Sequence, residues 1–223
     1  YIRNKNKSAN ELGIESFQYN LKDNISEEEL LNLISKLNNN LEVDGILVQL
    51  PLPNHINTES VVDAIRPDKD VDGFNVLNAG NLYLNKNGVI PCTPLGCIIM
   101  LHTLNISLKG LHAVIIGRST IVGKPLSQLL LKENCTVTVV HSHTKDVKNF
   151  VKEADIVIAA VGIANYVQGD WIKKGSIIID VGINRITKDG KTILVGDVDF
   201  EEAAKKASVI SPVPGGVGPM TIA

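Results

Sequence analysis

A chain of 223 residues, 44% hydrophobic and 21% charged, has enough apolar side chains for one large core or two smaller ones. A formal net charge of -2 gives no electrostatic reason to expect nucleic acid or an anionic membrane as a partner, and with 4% aromatic residues there is little on which to stack bases. No uninterrupted apolar run approaches a membrane span and no secretory h-region is visible, so a cytoplasmic protein is expected. The cysteines, Cys92, Cys97 and Cys135, are odd in number, form no C-x-x-C and lie in apolar segments, which favours a reducing compartment over a disulfide framework. His141 and His143 bracket Ser142 with no third ligand nearby in sequence, so no metal site is expected.

Residues 1–12 read as the back half of a helix stopped by Gly13. The alternation from Ser16 to Leu21 predicts a strand. Ser26 and Glu29 form an S-x-x-E capping box ahead of Leu30, Leu31, Leu33, Ile34 and Leu37, a helix at the 3.6-residue period. Gly45 to Leu50 (GILVQL) is continuously apolar and predicts a buried parallel strand, ended by Pro51 and Pro53. Asn57 to Ile65 reads as a helix, Pro67 to Gly73 (PDKDVDG) as a polar loop and Asn78 to Thr93 as an irregular connection. A helix from Pro94 to Leu104 then leads into a clean alternation. Strands are expected at His112–Ile116, Thr136–His141, Ile156–Ala160 and Ser176–Val181, and helices at Gly123–Lys132, Lys145–Lys152 and Asp199–Lys206. Asp189-Gly190 signals a hairpin. The fold class is α/β with two domains, residues 1–92 and 93–223, the second a Rossmann-like doubly wound parallel sheet.

Several segments carry chemistry. The strand HAVII runs directly into Gly117-Arg118-Ser119-Thr120-Ile121-Val122-Gly123-Lys124-Pro125 and an apolar helix. A tight glycine turn at a helix N-terminus suits a dinucleotide pyrophosphate, because unpaired N–H groups and the helix dipole face outward. The fingerprint G-x-G-x-x-G is not met, and a purely structural turn would also explain the glycines. After the next strand, where NAD-binding units place a ribose-binding acid, stands His141-Ser142-His143-Thr144. With no carboxylate there, Arg118 and Ser142 suit the 2′-phosphate of NADP. The alternative is a pair of solvated loop residues.

In the first half, Tyr1 and Lys5 share one helical face, Gln49 stands at the carboxyl end of the apolar strand, and Asp72 lies on a tight loop. Pro212 to Thr221 (PVPGGVGPMT) has neither helical nor strand period and reads as a shaped loop. Singly, each has an ordinary structural reading. Jointly, Y-x-x-x-K at Tyr1 to Lys5, VQLPLP, DKDVDGF, PCTP at Pro91 to Pro94, GRSTIVGKP and PVPGGVGPMT make the chain resemble the methylenetetrahydrofolate dehydrogenase/cyclohydrolase family along essentially its whole length.

That resemblance implies a bifunctional NADP-dependent enzyme with folate bound in a cleft between two domains. Lys5 matches the family's catalytic lysine, Tyr1 the tyrosine that stacks on substrate, Gln49 the glutamine paired with the lysine, and Asp72 the aspartate that hydrogen-bonds the pterin. Val48 and Leu50, flanking Gln49, and Pro214, Gly215 and Gly216 would border the substrate. Gly117, Arg118, Ser119, Ser142 and Ile183 match cofactor contacts. It further implies a homodimer joined through the cofactor domain, and a strand and helix before Tyr1 and a helix after Ala223 that the sequence lacks. Other readings remain: a single-activity dehydrogenase using NAD, a catalytically silent nucleotide- or folate-binding module, and an amino-acid or hydroxy-acid dehydrogenase of similar fold.

Overall fold

The computed structural model of the chain describes residues 8, 9, 11–188 and 190–223. It divides into two compact units, one running up to Pro91 and taking in Ile222–Ala223, the other spanning Cys92–Thr221.

In the first unit, Ser8, Ala9 and Glu11 are helical and the chain turns at Leu12-Gly13, where the sequence places a helical stop. Helix α1 (Glu27–Asn39) starts at the expected capping box: Glu29 N–H donates to Ser26 Oγ at 3.2 Å, and Ser26 N–H donates to Glu29 Oε2 at 3.0 Å. The Ser26 N–H and hydroxyl, both donating to Glu29 Oε2, hold the Glu29 carboxyl below its usual range. Helix α2 (Thr58–Ala64) is capped by Asn57, whose side chain accepts from the N–H groups of Glu59 and Ser60. Leu30 and Ile34 of α1 meet Val61 of α2 together with Ile46, Ile56 and Ile65 in one apolar core.

Three expectations fail in this unit. Ser16–Leu21 carries no strand; Phe17 and Tyr19 are both exposed, so the alternation there does not mark a buried face. Gly45–Leu50 is not a buried strand either. It makes one isolated parallel bridge, Ile46 to Asp70, and Leu47 is 40% exposed. An apolar run becomes a strand only where neighbouring backbone completes its hydrogen bonds. Helix α3 (Val76–Tyr83) runs into the segment read as an irregular connection from Asn78, and is capped by Asn75, whose side chain accepts from Leu77 N–H at 2.9 Å. Its asparagines lower helical propensity, but Asn78 faces inward and bonds to tertiary partners, which outweighs that preference.

The second unit opens with α4 (Cys92–His102), which buries Cys97, Ile98 and Leu101. Then come β1 (His112–Ile116), α5 (Gly123–Lys132), β2 (Thr136–Val140), α6 (Val147–Glu153), β3 (Ile156–Ala159), a 3-10 turn (Gly169–Trp171) and β4 (Ile177–Asp180). The hairpin strands β5 (Asn184–Lys188) and β6 (Lys191–Val195), α7 (Phe200–Ala204), β7 (Val209–Ile210) and α8 (Val217–Ile222) complete it. Five strands form one parallel sheet in the order β2-β1-β3-β4-β7, with Ala113 opposite Ile156 and Ile116 opposite Ala159. Strands β3 and β4 are buried throughout, which is why IVIA and IIID carry no alternation. The crossovers leave β1 on one side toward β2 and, from β2, reach β3 on the other, so the order reverses at β1/β3.

The α/β alternation expected of this half is present, with ends shifted by a residue or two. Asp199 is the N-cap of α7 rather than a helical residue, its side chain accepting from Glu202 N–H. The hairpin pairs Lys188 with Lys191; Asp189, half of its sequence signal, lies outside the described residues. Two features depart from expectation. Strand β7 has two residues, too few for any period. The Pro212–Thr221 segment is a loop only at its start, since α8 begins at Val217 and accommodates Pro219 in its first turn, where a missing N–H costs no helical bond.

Candidate functional site

Ligands of open parallel sheets bind outside the carboxyl ends of the strands, at the point where strand order reverses. Here that point is occupied by the turn after β1. Gly117 has φ +124°, its N–H donates to Val140 O at 2.9 Å, and a Cβ on it would overlap the carbonyl of Ala160 just beyond β3. Only glycine lets the turn pass so close to β3 while the chain heads into α5. Ser119 caps that helix from within the turn: its Oγ accepts from Val122 N–H at 3.2 Å and Gly123 N–H at 3.3 Å. Arg118 and Ser119 are themselves exposed.

The turn after β2 stands beside Arg118. Thr144 N–H donates to His141 O at 2.8 Å, His141 N–H donates to Thr144 Oγ1 at 2.9 Å, and His143 N–H donates to His141 Nδ1 at 3.2 Å. This closed turn leaves Ser142 exposed at its tip. The two imidazoles meet edge to face, with centroids 6.0 Å apart. Desolvation first, then the charges of Arg118 and His143, hold His141 below its ordinary range. Arg118 is thus the fixed positive charge close to the end of β2. Gly117, Arg118, Ser119 and Ser142 form one neighbourhood.

Ile183 follows β4 and is 60% exposed, and its Cδ1 lies 3.5 Å from where a Cβ on Gly218 would stand. The Pro212–Thr221 segment therefore borders the Ile183 loop. Its Val213-Pro214 peptide is cis, Pro214 and Gly215 are exposed, and Gly216 is buried against Pro212. The same segment is joined to the PCTP stretch: Thr221 and Thr93 share a hydroxyl hydrogen bond of 2.9 Å, and Gly96 packs on Met220.

In the first unit the Gln49 segment and the Asp72 loop run side by side. Ile46 N–H donates to Lys69 O at 2.7 Å, and Ile46 bridges Asp70. Gln49 is exposed, with Nε2 donating to Leu50 O at 3.1 Å; Val48 and Leu50 are half-buried, and the Leu50-Pro51 peptide is cis. Asp72 is half-buried on a loop organised by Asp70, which is 2% exposed. Asp70 Oδ1 accepts from Gly73 N–H at 3.0 Å, and Oδ2 accepts from Asn75 N–H at 2.8 Å and Asn78 Nδ2 at 3.0 Å. Lys69, also buried, donates from Nζ to Leu37 O at 3.2 Å and Asn40 O at 2.7 Å, the carbonyl end of α1. Tyr1 and Lys5 lie outside the described residues.

Lys69, Asp70, Asn75 and Asn78 shape this site and were not singled out from the sequence. The run of charge in PDKDVDG was the available signal, but a polar loop carries no period to say which charges point inward. Among the described residues no group of His, Cys, Asp or Glu is placed to hold a metal, and no helix is long and apolar enough to cross a membrane. Burial pushes the Cys97 thiol up to about 12, which leaves it inert near neutrality.

Comparison with known proteins agrees with this geometry. Residues 1–72 match the catalytic domain of tetrahydrofolate dehydrogenase/cyclohydrolase, and residues 91–223 match the NAD(P)-binding domain of the same family. The bifunctional protein FolD of Zymomonas mobilis is 55% identical over all of this chain and 77% of its own. Among solved structures, the bifunctional FolD methylenetetrahydrofolate dehydrogenase/cyclohydrolase of Campylobacter jejuni superposes with a TM-score of 0.96 at 50% identity, covering 100% of this chain and 78% of that one. The Trypanosoma brucei methylenetetrahydrofolate dehydrogenase-cyclohydrolase, solved with NADP and an inhibitor, gives a TM-score of 0.95 at 39% identity over 100% of this chain and 77% of its own. A glycine turn at the strand-order reversal, an acid-free turn beside it and matches to both family domains lead to one conclusion: the chain belongs to the bifunctional FolD family of tetrahydrofolate dehydrogenase/cyclohydrolases.

Proposed function

We propose that the chain oxidises 5,10-methylenetetrahydrofolate with NADP and hydrolyses the resulting 5,10-methenyl species to 10-formyltetrahydrofolate, with residues 1–92 as the folate-binding catalytic domain and 93–223 as the cofactor domain. The observation that carries this reading, in a member of the family, is the Gly117 turn at the strand-order reversal with Arg118 beside an acid-free turn at the end of β2. The residues fit a 2′-phosphorylated dinucleotide. The Gly117 cradle is closed to any side chain, Arg118 supplies a cation, and the neighbouring turn carries a hydroxyl where an NAD site would place a carboxylate.

NADP, when bound, supplies the hydride acceptor. The Gly117–Ser119 turn would hold its pyrophosphate, Arg118 and Ser142 its 2′-phosphate, and Ile183 would be a further cofactor contact. For the dehydrogenase step the protein's task is positioning, since the folate nitrogens stabilise the cation that forms and no protein nucleophile is needed. Tyr1, Val48, Leu50, Pro214, Gly215 and Gly216 border the folate, and Asp72 anchors the amino edge of the pterin by a charge-assisted hydrogen bond. In the hydrolytic step, attacking water loses a proton and a ring nitrogen later gains one. Lys5 carries that acid–base work. Gln49, which carries no charge, would orient the Lys5 amine without keeping it protonated. The protein works as a cytoplasmic homodimer joined through the cofactor domain.

The test is a coupled assay with methylenetetrahydrofolate and NADP, following reduced cofactor and methenyl folate together. Reduced cofactor forming without a matching rise in methenyl folate, after subtraction of spontaneous hydrolysis, supports both activities. Lys5→Met is expected to abolish hydrolysis and spare part of the dehydrogenase activity. Equal loss of both in folded protein would remove Lys5 from its role.

A further inference from the structure

Two buried carboxylates, Asp180 and Asp197, have no part in the steps above. Asp180 ends β4 and is 3% exposed; Asp197 follows β6 and is 0% exposed. Their donors are backbone N–H groups and one amide. Asp180 Oδ1 accepts from Gly182 N–H at 3.0 Å and Asp197 N–H at 2.9 Å, and its Oδ2 accepts from Val198 N–H at 2.9 Å. Asp197 Oδ2 accepts from Val161 N–H at 2.7 Å and Gly162 N–H at 2.9 Å, and its Oδ1 accepts from Asn184 Nδ2 at 2.8 Å. The two segments also interlock in shape. A Cβ on Gly182 would overlap the Asp197 carboxyl, and one on Gly196 would overlap that of Asp180. Each carboxylate thus fills the space left by the glycine beside the other.

Holding a turn with two buried like charges is costly when apolar packing would serve, so the placement of what they hold is informative. Through Asn184 and Gly182 the pair brackets Ile183 on both sides. Through Val161 and Gly162 it fixes the segment that continues from Ala160, the residue packed over the Gly117 turn. Both held segments lie at the carboxyl edge of the sheet, at β3 and β4.

We propose that Asp180 and Asp197 are positioning residues for the nicotinamide cofactor, holding Ile183 and the Val161–Gly162 backbone in register with the Gly117 turn. The proposal rests on the cofactor reading above. It separates the two activities, because hydrolysis of methenyl folate uses no nicotinamide. An amide in place of either carboxylate turns one acceptor into a donor facing N–H groups, which releases a bracketed segment without changing side-chain volume.

The experiment compares purified wild-type protein with Asp197→Asn, Asn184→Ala and, as a destabilised control, Val151→Ala in the core of α6. The Michaelis constant for NADP, kcat for its reduction and the hydrolysis rate of supplied methenyltetrahydrofolate are measured for each. Asp197→Asn should raise the NADP Michaelis constant about tenfold or more, and Asn184→Ala several-fold, with the ratio of dehydrogenase to hydrolase activity falling. Val151→Ala should leave that ratio where it is. Asn184→Ala removes a single donor and decides the matter if Asp197→Asn does not fold. NADP Michaelis constants within about twofold of wild type, or both activities falling in step, would overturn the positioning role. If wild-type protein hydrolyses methenyl folate yet reduces neither NADP nor NAD, the cofactor reading falls and takes this inference with it. Normal wild-type reduction with unaffected variants defeats the inference alone.

Discussion

The loops at the carboxyl edge of the sheet and the loop that carries Asp72 are held by different means. Gly117, Ala160 and Val181 continue strands β1, β3 and β4, whose backbones are paired along their length and whose Val114, Ile116, Val157 and Ile178 share one core with Val147, Val151, Ile172 and Ala203. Their positions are inherited from the sheet. Asp72 has no strand beneath it. Beyond the backbone bridge from Ile46, its loop is held by side chains, with Lys69 reaching the end of α1 and Asp70 collecting donors from Gly73, Asn75 and Asn78. A repetitive scaffold spreads the work over many backbone bonds. A polar one concentrates it in a few buried groups, each of which leaves unpaired partners behind when removed.

This contrast can be broken most directly at Asp70. Asp70→Ala leaves Gly73 N–H, Asn75 N–H and the Asn78 amide without their acceptor, and is expected to destabilise the protein by about 4 kcal/mol in urea unfolding. A loss below about 1 kcal/mol would mean that the loop does not depend on this carboxylate.

The sheet unit has its own buried charge, and it behaves differently. Desolvation outweighs the bonds from Asp197, Val198 and Gly182, and with the Asp197 charge pushes Asp180 from 3.8 up to about 6. The native state therefore takes up this proton more readily than the unfolded chain. The resulting stability is present in full below about 3.8 and is lost as pH rises through about 6. That change amounts to about 3 kcal/mol. Asp180→Asn should flatten the stability–pH slope across that window relative to wild type; parallel profiles would mean that Asp180 titrates normally.

Gly117→Ala attacks the backbone scaffold at one point. The added Cβ meets the Ala160 carbonyl, so the turn must move, and kcat/KM for NADP is expected to fall roughly 100-fold, while hydrolysis of supplied methenyl folate falls far less. Comparable loss of both would show that displacing this turn disturbs more than the dehydrogenase step. The smallest effect is expected at Ser26, an exposed cap remote from both loops in sequence. Ser26→Ala should cost about 1 kcal/mol in thermal or urea unfolding with little change in either activity.

How much was legible in advance divides along the same line. The strand-turn-helix at HAVIIGRST, the buried strands IVIA and IIID and the capping box at Ser26 declare themselves through glycine placement, short unbroken apolar runs and cap chemistry. All of these are local. The apolar run GILVQL misled because its meaning depended on what lay beside it, and the structure supplies a single bridge at Ile46. Helix α3 was hidden because Asn78, inside it, is a poor helix former until tertiary partners occupy its side chain. The end of the PGGVGPMT segment looked irregular because Pro219 reads as a breaker unless it falls in a first turn.

By itself the sequence determined the α/β class of the second unit, the family, and the positions of Gly117, Arg118, Ser142 and Asp72 in the chain, because periodicity and short motifs act between residues a few positions apart. Only the tertiary structure decided that Asp70 gathers the donors of the polar loop, that Thr93 meets Thr221, and that Asp180 and Asp197 each lie over the other's neighbouring glycine. Those partners are far apart in the chain or differ only in which way a side chain points. Burial and hydrogen bonding settle such choices once the whole core has formed.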